Sequence, residues 1–504
     1  MALFLPILLL ILLSFIVTYW KSIQRIRRFR KYDEKIPGPP THPIFGNADM
    51  FEGKNTAEIS SLLRDTADEW RDKGKNLMKY RILGKVLVFP LNGKTLSKVL
   101  ESTTELNKGD DYQFSMAWLG GGVLLEGYGD RWRSHRKMLT PTFHFAKLEG
   151  YLEVFNAESR IMIECLEKSA ESGETVDMFP FIKRCTLDII CGTAMGTKVD
   201  AQYNHDHPYV NAVEGFNKLS VVYAMSALLQ SDFFFWALGY KKQKDDYLYT
   251  LKKFTNDVIA ERRAAIASGE VEKETVKRKM NFLDILLSNK ESNELTEEDI
   301  RQEVDTFMFA GHDTTTASLS WVCWNLAHNP DVQEKVYQEL VSIFGEDPNE
   351  DVTSEGIAKL DYTERVLKES KRIIAPVPAL QRKLREDMEL DGITIPSGAN
   401  VAISPLVLHS NSHVFKDPLK FDPDRFLPEQ IATRNAYDYI PFSAGLRNCI
   451  GQKFSQLNEK VMLVHIMKNF RMEPMLGFTG TKPTFEVVSK PSHGIPVKLI
   501  RRQL

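Results

Sequence analysis

Pro441-Phe-Ser-Ala-Gly-Leu-Arg-Asn-Cys-Ile-Gly-Gln-Lys-Phe454 is the stretch that decides how this 504-residue chain is read. Its one cysteine, Cys449, stands at the mouth of a segment whose apolar residues Ile450, Phe454, Leu457, Val461 and Val464 recur at helical spacing. A sulfur at a helix N-terminus feels the positive end of the macrodipole, which favours thiolate over thiol. Gly445 can take a backbone conformation closed to other residues, so the loop can fold its N–H groups toward that sulfur. Gly451 leaves room for something large and flat against the helix start. Arg447 can meet an anionic group on that flat object, and Phe442 can screen the sulfur from water.

A pocket that keeps one thiolate ionised, hydrogen-bonded and dry suits an electron-rich axial ligand to haem iron. The alternative is a buried free cysteine at a helix start, the default for this residue type. The full pattern Phe-x-x-Gly-x-Arg-x-Cys-x-Gly over residues 442–451 resembles the haem-ligand loop of the cytochrome P450 superfamily at every specified position. The resemblance implies haem b with Cys449 as the iron ligand, and Arg447, Phe442, Gly445 and Gly451 around it. It also implies a mainly α fold with small β-sheets.

Bulk properties narrow the rest. With 65 basic and 67 acidic residues the net charge is −2, so no global attraction to nucleic acid is expected. A 43% hydrophobic content is enough for a large core. Cysteines 165, 185, 191, 323 and 449 do not read as a disulfide framework, and a reducing compartment fits them best.

Residues 1–20 are almost unbroken in apolar character and are followed by Lys21, Arg25, Arg27, Arg28, Arg30 and Lys31. They predict an N-terminal transmembrane signal anchor, with the basic residues retained on the cytosolic side. Residues 21–40 read as a basic stop-transfer segment and a proline-rich hinge ending in Pro37-Gly-Pro-Pro40, and residues 41–504 as the catalytic domain. The expected location is the endoplasmic reticulum membrane, single-pass, with the catalytic body on the cytosolic face.

Along that body, residues 79–90 predict a hairpin and 390–396 a second. Gly120-Gly-Gly122 is not a phosphate loop, and no dinucleotide-binding fingerprint occurs elsewhere, so electrons must come from a separate protein. Thr296-Glu-Glu-Asp299 opens a long helix with a capping box, and Asn329-Pro330 stops it. In its middle, Thr314 can bond back to the Ala310 carbonyl while Gly311 weakens the same turn. A local opening of the helix is expected there. Phe233-Phe-Phe-Trp236 reads either as core or as a patch dipping into a bilayer, and Glu270–Lys279 as a solvated charged loop.

The family resemblance gives several of these segments a role. Trp132 and Arg136, four apart on one helix face, match the C-helix pair that meets the haem propionates, and Arg382 matches a further propionate contact. Glu369, Arg372 and Arg425 match a buried structural network. Ala310-Gly-His-Asp-Thr-Thr315 is similar to the oxygen-activation motif, which implies Asp313 and Thr314 as the catalytic pair delivering protons to O2. Details such as Glu303-Val-Asp-Thr-Phe-Met-Phe309 resemble the family-four fatty-acid hydroxylases, except that Ala310 stands where many of them carry a glutamate esterified to haem. Alanine cannot form that bond. The implied activity is oxygen insertion into a C–H bond of a lipophilic substrate, a fatty acid or related lipid. Electrons would come from NADPH through NADPH–cytochrome P450 reductase, with cytochrome b5 as a second donor. Arg131, Arg133, Lys137 and Lys453 form the expected docking face. Sterol, hormone or xenobiotic oxidation, a reductase-independent isomerase or dehydratase, and a haem sensor are the competing readings.

Overall fold

Thr296 begins the longest helix as a capping box: Asp299 N–H donates to Thr296 Oγ1 at 3.1 Å, and Thr296 N–H donates to the Asp299 carboxylate at 2.9 Å. Two donors that a helix start would otherwise orphan are thereby satisfied. The protein's structure is a computed structural model. It describes residues 9, 13, 14, 17, 20, 24, 29, 32, 34–43, 45–82, 85–143, 148–171, 173–226, 228–269, 280–291, 295–475, 477 and 480–502, with the side chains of 290 and 291 left aside. Six helices position the site: α1 (Asp130–Leu139), α2 (Met178–Ile190), α3 (Pro208–Met225), α4 (Glu297–His328), α5 (Tyr362–Ile373) and α6 (Gln452–Asn469).

The long helix α4 is apolar on most sides, so it can only be stable inside other helices. It packs against α2, α5 and α6. Gly311 makes the α2 crossing possible, because a Cβ there would lie 2.7 Å from the Ile190 side chain. The opening expected near Gly311 and Thr314 is absent, since α4 is α-helical without interruption through 310–315. Ile190 fills the place of the missing Cβ, and the Thr314 back-bond to Ala310 O, at 2.7 Å, fits within regular helix.

The β structure is small. Strands β1 (Leu77–Ile82), β2 (Lys85–Pro90), β3 (Thr175–Asp177), β4 (Leu380–Lys383), β5 (Met388–Leu390), β6 (Ile393–Ile395), β7 (Asn400–Ile403), β8 (Phe470–Pro474) and β9 (Pro496–Arg501) make three sheets. Their orders are β1-β2-β7-β4, β3-β9-β8 and the β5-β6 hairpin. Both predicted hairpins are present. The second turns at Asp391 (φ 51°) and Gly392 (φ 73°), the two left-handed positions that a tight two-residue turn needs. Pro37-Gly-Pro-Pro40 lies along β1, with Lys79 N–H donating to Pro37 O at 2.8 Å.

The expected N-terminal membrane-spanning helix is corrected. No helix among the described residues is long and apolar enough to cross a membrane. Most of residues 1–20 lie outside the described residues. An apolar run sets only a length, and a span also needs one continuous helix of that length. The charged stretch 270–279 likewise lies outside the described residues.

Behind the site, Glu369 on α5 is wholly buried and grips Arg372 in a two-pronged pair, Nε–Oε2 2.7 Å and Nη2–Oε1 2.8 Å. Asp422 N–H donates to Glu369 Oε1 at 3.0 Å, and Arg425 Nε lies 3.4 Å from the same oxygen. Arg372 also donates to His409 O and Lys420 O. A bridge this dry is sustained only when every lone pair and proton has a partner. Glu369→Ala would strand the Arg372 guanidinium, and the expected loss is about 3–5 kcal/mol, read from the shift in urea-unfolding midpoint.

Candidate active site

The cysteine loop is shaped by backbone constraint. Gly445 has φ 69°, and a Cβ on it would sit 1.9 Å from Leu100 O, so only glycine lets the loop press against that carbonyl. Cys449 N–H donates to Phe442 O at 2.9 Å, closing the loop just before α6. Gly451 is the N-cap of α6, and nothing lies within 4 Å of where its Cβ would be, so open space borders the helix start. One turn into α6, Ser455 Oγ lies 3.2 Å from Thr315 Oγ1 on α4. That contact sets the cysteine loop against the middle of α4.

Cys449 keeps exposed surface although it lies deep in the fold. Burial pushes its thiol up, against the pull of the Gly451 N–H and the Arg136 charge. The helix-start effect expected to favour thiolate is therefore opposed by burial. A metal cation bound to the sulfur would reverse the balance outright.

Around the sulfur the structure collects positive charge. Arg447 is buried, with its guanidinium 4.1 Å above the Trp132 ring, and Arg136 Nη2 donates to Asn448 Oδ1 at 2.7 Å. Arg382 on β4 is buried and pairs across an isolated bridge with Lys108. Burial, then Arg382 and Arg136, push Arg447 down to about 9. Burial and the charges of Arg382, Arg447 and Arg136 drive Lys108 well below its ordinary value. Among the described residues none of these four cations has a carboxylate in ion-pair contact, and the buried Trp132 Nε1 and Arg447 Nε have no hydrogen-bond partner. Four cations and two idle donors beside an accessible thiol fit a flat cofactor that carries two carboxylates and a metal.

Helix α4 supplies the opposite wall. Between Glu303 and Cys323, only Ala310, Gly311 and Thr314 retain surface. Ala310 and Thr314, four apart, lie on one face that keeps open surface, while the Cβ side of Gly311 is taken up by Ile190. Asp313 points elsewhere. It is fully buried, accepting from Asn217 Nδ2 at 3.2 Å, with Lys490 Nζ at 3.5 Å. Lys490, Lys183 and His312 outweigh its burial and hold the carboxyl below the ordinary range. Lys183 in turn pairs with Glu214 at 3.3 Å. The two members of the expected catalytic pair thus occupy different faces: Thr314 borders the space, and Asp313 is anchored behind it.

Other expected positions fall as follows. Arg131, Arg133, Lys137 and Lys453 are all exposed, and Arg131 is tied to Asp299 at 2.5 Å. Phe233–Trp236 divides, with Phe235 in the core and Phe233 and Trp236 exposed. Sequence reasoning missed Lys108, Lys183 and Lys490. Each is a lone lysine in an unpatterned segment, and only the fold reveals that it is brought against other charges.

The cytochrome P450 family model matches residues 36–499. The chain is 37% identical over 506 residues to cytochrome P450 4c3 of Drosophila melanogaster, covering 97% of this chain and 93% of that protein. It is 39% identical over 492 residues to cytochrome P450 4V2 of Rattus norvegicus, covering 94% and 91%. Against cytochrome P450 4c21 of Blattella germanica the identity is 34% over 504 residues, covering 99% and 98%.

Lys108→Met removes one unneutralised cation from this cluster. The expected result is a cofactor-free protein more stable by ~1 kcal/mol in urea unfolding, and a cofactor-loaded protein that loses haem faster.

Proposed function

The chain belongs to the cytochrome P450 family, within its family-four branch, and from that premise we propose that it hydroxylates a fatty acid or related lipid near the chain end. It is a haem-thiolate monooxygenase that uses O2 and NADPH-derived electrons delivered by a redox partner, and it acts on a lipophilic substrate. The observation that carries the reading is the set of four cations beside the accessible Cys449, two of them buried (Arg382 and Arg447) and two half-buried (Arg136 and Lys108).

Residues present here would hold the cofactor at both ends. Cys449 is the iron ligand in this reading, kept in place by its own N–H on Phe442 O and by the Gly451 N–H near the sulfur. Arg136, Arg382, Arg447 and Lys108 would take the propionates, with Trp132 Nε1 free to donate to one of them. When bound, haem supplies the oxidation chemistry by which one atom of O2 enters a C–H bond.

The chain's own task is to orient substrate and manage protons. Thr314 Oγ1 spends its hydrogen on Ala310 O and turns its lone pairs to the interior space, where they can accept from water. Asp313 stays ionised behind it, held by Lys490 and Lys183, and can relay a proton only after its contact with Lys490 loosens. The small side chain at 310 leaves width for an apolar chain. Ala310 offers no carboxylate, so haem is held here without an ester bond.

The electron donor in this reading is NADPH–cytochrome P450 reductase, assisted by cytochrome b5, docking on the exposed Arg133, Lys137 and Lys453 face. An exposed apolar patch at Val222, Met225, Leu228, Trp236 and Leu238 supports work at a membrane surface, consistent with the endoplasmic reticulum.

Purified protein incubated with a lipid panel, reductase and NADPH should give hydroxylated fatty acid only when O2 and reductase are both present. Product formed without reductase would reject the monooxygenase role for that substrate, and exclusive turnover of non-lipid compounds would reject the lipid assignment. Acid–butanone extraction should carry all haem into the organic layer. Haem left on the polypeptide would contradict the consequence drawn from Ala310.

A further inference from the structure

Glu303 lies two turns before Ala310 on α4 and is completely buried. Both carboxylate oxygens accept from Val123 N–H at 3.0 Å, and Oε1 is 2.8 Å from His135 Nδ1. Burying a carboxylate costs heavily unless its oxygens are all engaged, so a charge placed here implies that its two partners must be held.

Both partners belong to segments that carry the cation cluster. His135 sits on α1 between Trp132 and Arg136. Val123 is in the loop 120–126, whose other edge holds Arg447: Val123 O accepts from Nη1 at 3.1 Å, and Glu126 O accepts from Nη2. The loop is clamped to α4 at short range. Gly121 N–H donates to Gln302 Oε1 at 2.8 Å, and a Cβ on Gly122 would lie 2.3 Å from Thr306 Oγ1 and 2.8 Å from Gln302 O. Gly120, at φ 51°, would meet the Gln302 side chain at 2.3 Å. The run of three glycines is therefore a close-approach device that lets the loop lie against α4.

We infer that Glu303 is a positioning residue for Arg447. It fixes the Val123 peptide and His135 together, so the loop carbonyls that aim the guanidinium are set by α4 rather than by the loop itself. The inference rests on the haem-thiolate reading above, in which Arg447 meets a propionate. It makes the wall facing substrate and the anionic edge of the cofactor one mechanical unit.

The test is a double-mutant cycle on the full-length, haem-loaded protein, with Glu303→Ala, Arg447→Met and both together. The readouts are the rate of haem transfer to excess apomyoglobin and the midpoint potential of the iron. Glu303→Ala alone should speed haem release about tenfold, the scale of a lost hydrogen bond to a charged group. It should add less than about twofold once Arg447 is methionine. Equal acceleration in both backgrounds would overturn the inference, because it would mean that Glu303 serves the fold without acting through Arg447. Where Glu303→Ala does not accumulate, Glu303→Gln runs the same cycle, since glutamine keeps one acceptor oxygen and the volume. Wild-type protein whose carbon-monoxide complex lacks the thiolate-type band would overturn the family-level reading itself, a failure distinct from additive haem-release rates.

Discussion

Positive charge gathered at an enclosed site, with no carboxylate in ion-pair contact among the described residues, is the constraint on which the rest of this structure depends. Burial lowers the proton affinity of Arg447, Arg382, Arg136 and Lys108 alike, and neighbouring positive charge lowers Arg447 and Lys108 further. A protein does not keep such a cluster for its own stability, since removing buried charge commonly stabilises a fold. The cluster is intelligible only as half of an interaction. In the haem-thiolate reading two propionates and a thiolate-bound metal would complete it, and part of the folding free energy of the loaded enzyme would then be cofactor-binding free energy.

The same reasoning explains why the cysteine does not act alone. Deep placement raises the thiol, and the nearby N–H and Arg136 only soften that effect. The protein supplies geometry and hydrogen bonds, and a metal held at Cys449 would supply the charge that makes the sulfur a thiolate. Gly445 and Gly451 serve this in different ways, one by letting the loop touch Leu100 and the other by leaving space at the helix start.

Much of this was legible in the chain. The cysteine loop, the capping box at Thr296, both hairpins and the Glu369–Arg372 pair follow from short-range rules, in which residue type and spacing nearly determine the outcome. What was not legible came from tertiary approach. Gly311 reads as a helix weakener until Ile190 is seen filling its side. Gly120–Gly122 reads in the sequence only as something other than a phosphate loop, until α4 is seen within a methyl group of it. Asp313 reads as a partner of Thr314, yet it is fully buried against Asn217 and Lys490 while Thr314 keeps surface. The membrane-spanning helix was an inference from hydropathy alone, and among the described residues it finds no helix to support it.

That last geometric fact about α4 governs how the enzyme can vary. One face carries Ala310 and Thr314, small residues that keep open surface. The others carry His312, Asp313 and Thr316, each buried and bonded to protein: His312 to Met308 O, Asp313 to Asn217, and Thr316 to Thr186 on α2. Changes in substrate shape press on the first face and leave the charged and hydrogen-bonded faces undisturbed. Lys490 reaches Asp313 from a segment whose neighbour Ser489 is pinned both to Pro376 and to Trp321. If Asp313 handles protons as proposed, its charge would depend on the packing of the carboxy-terminal segment without any change in α4 itself.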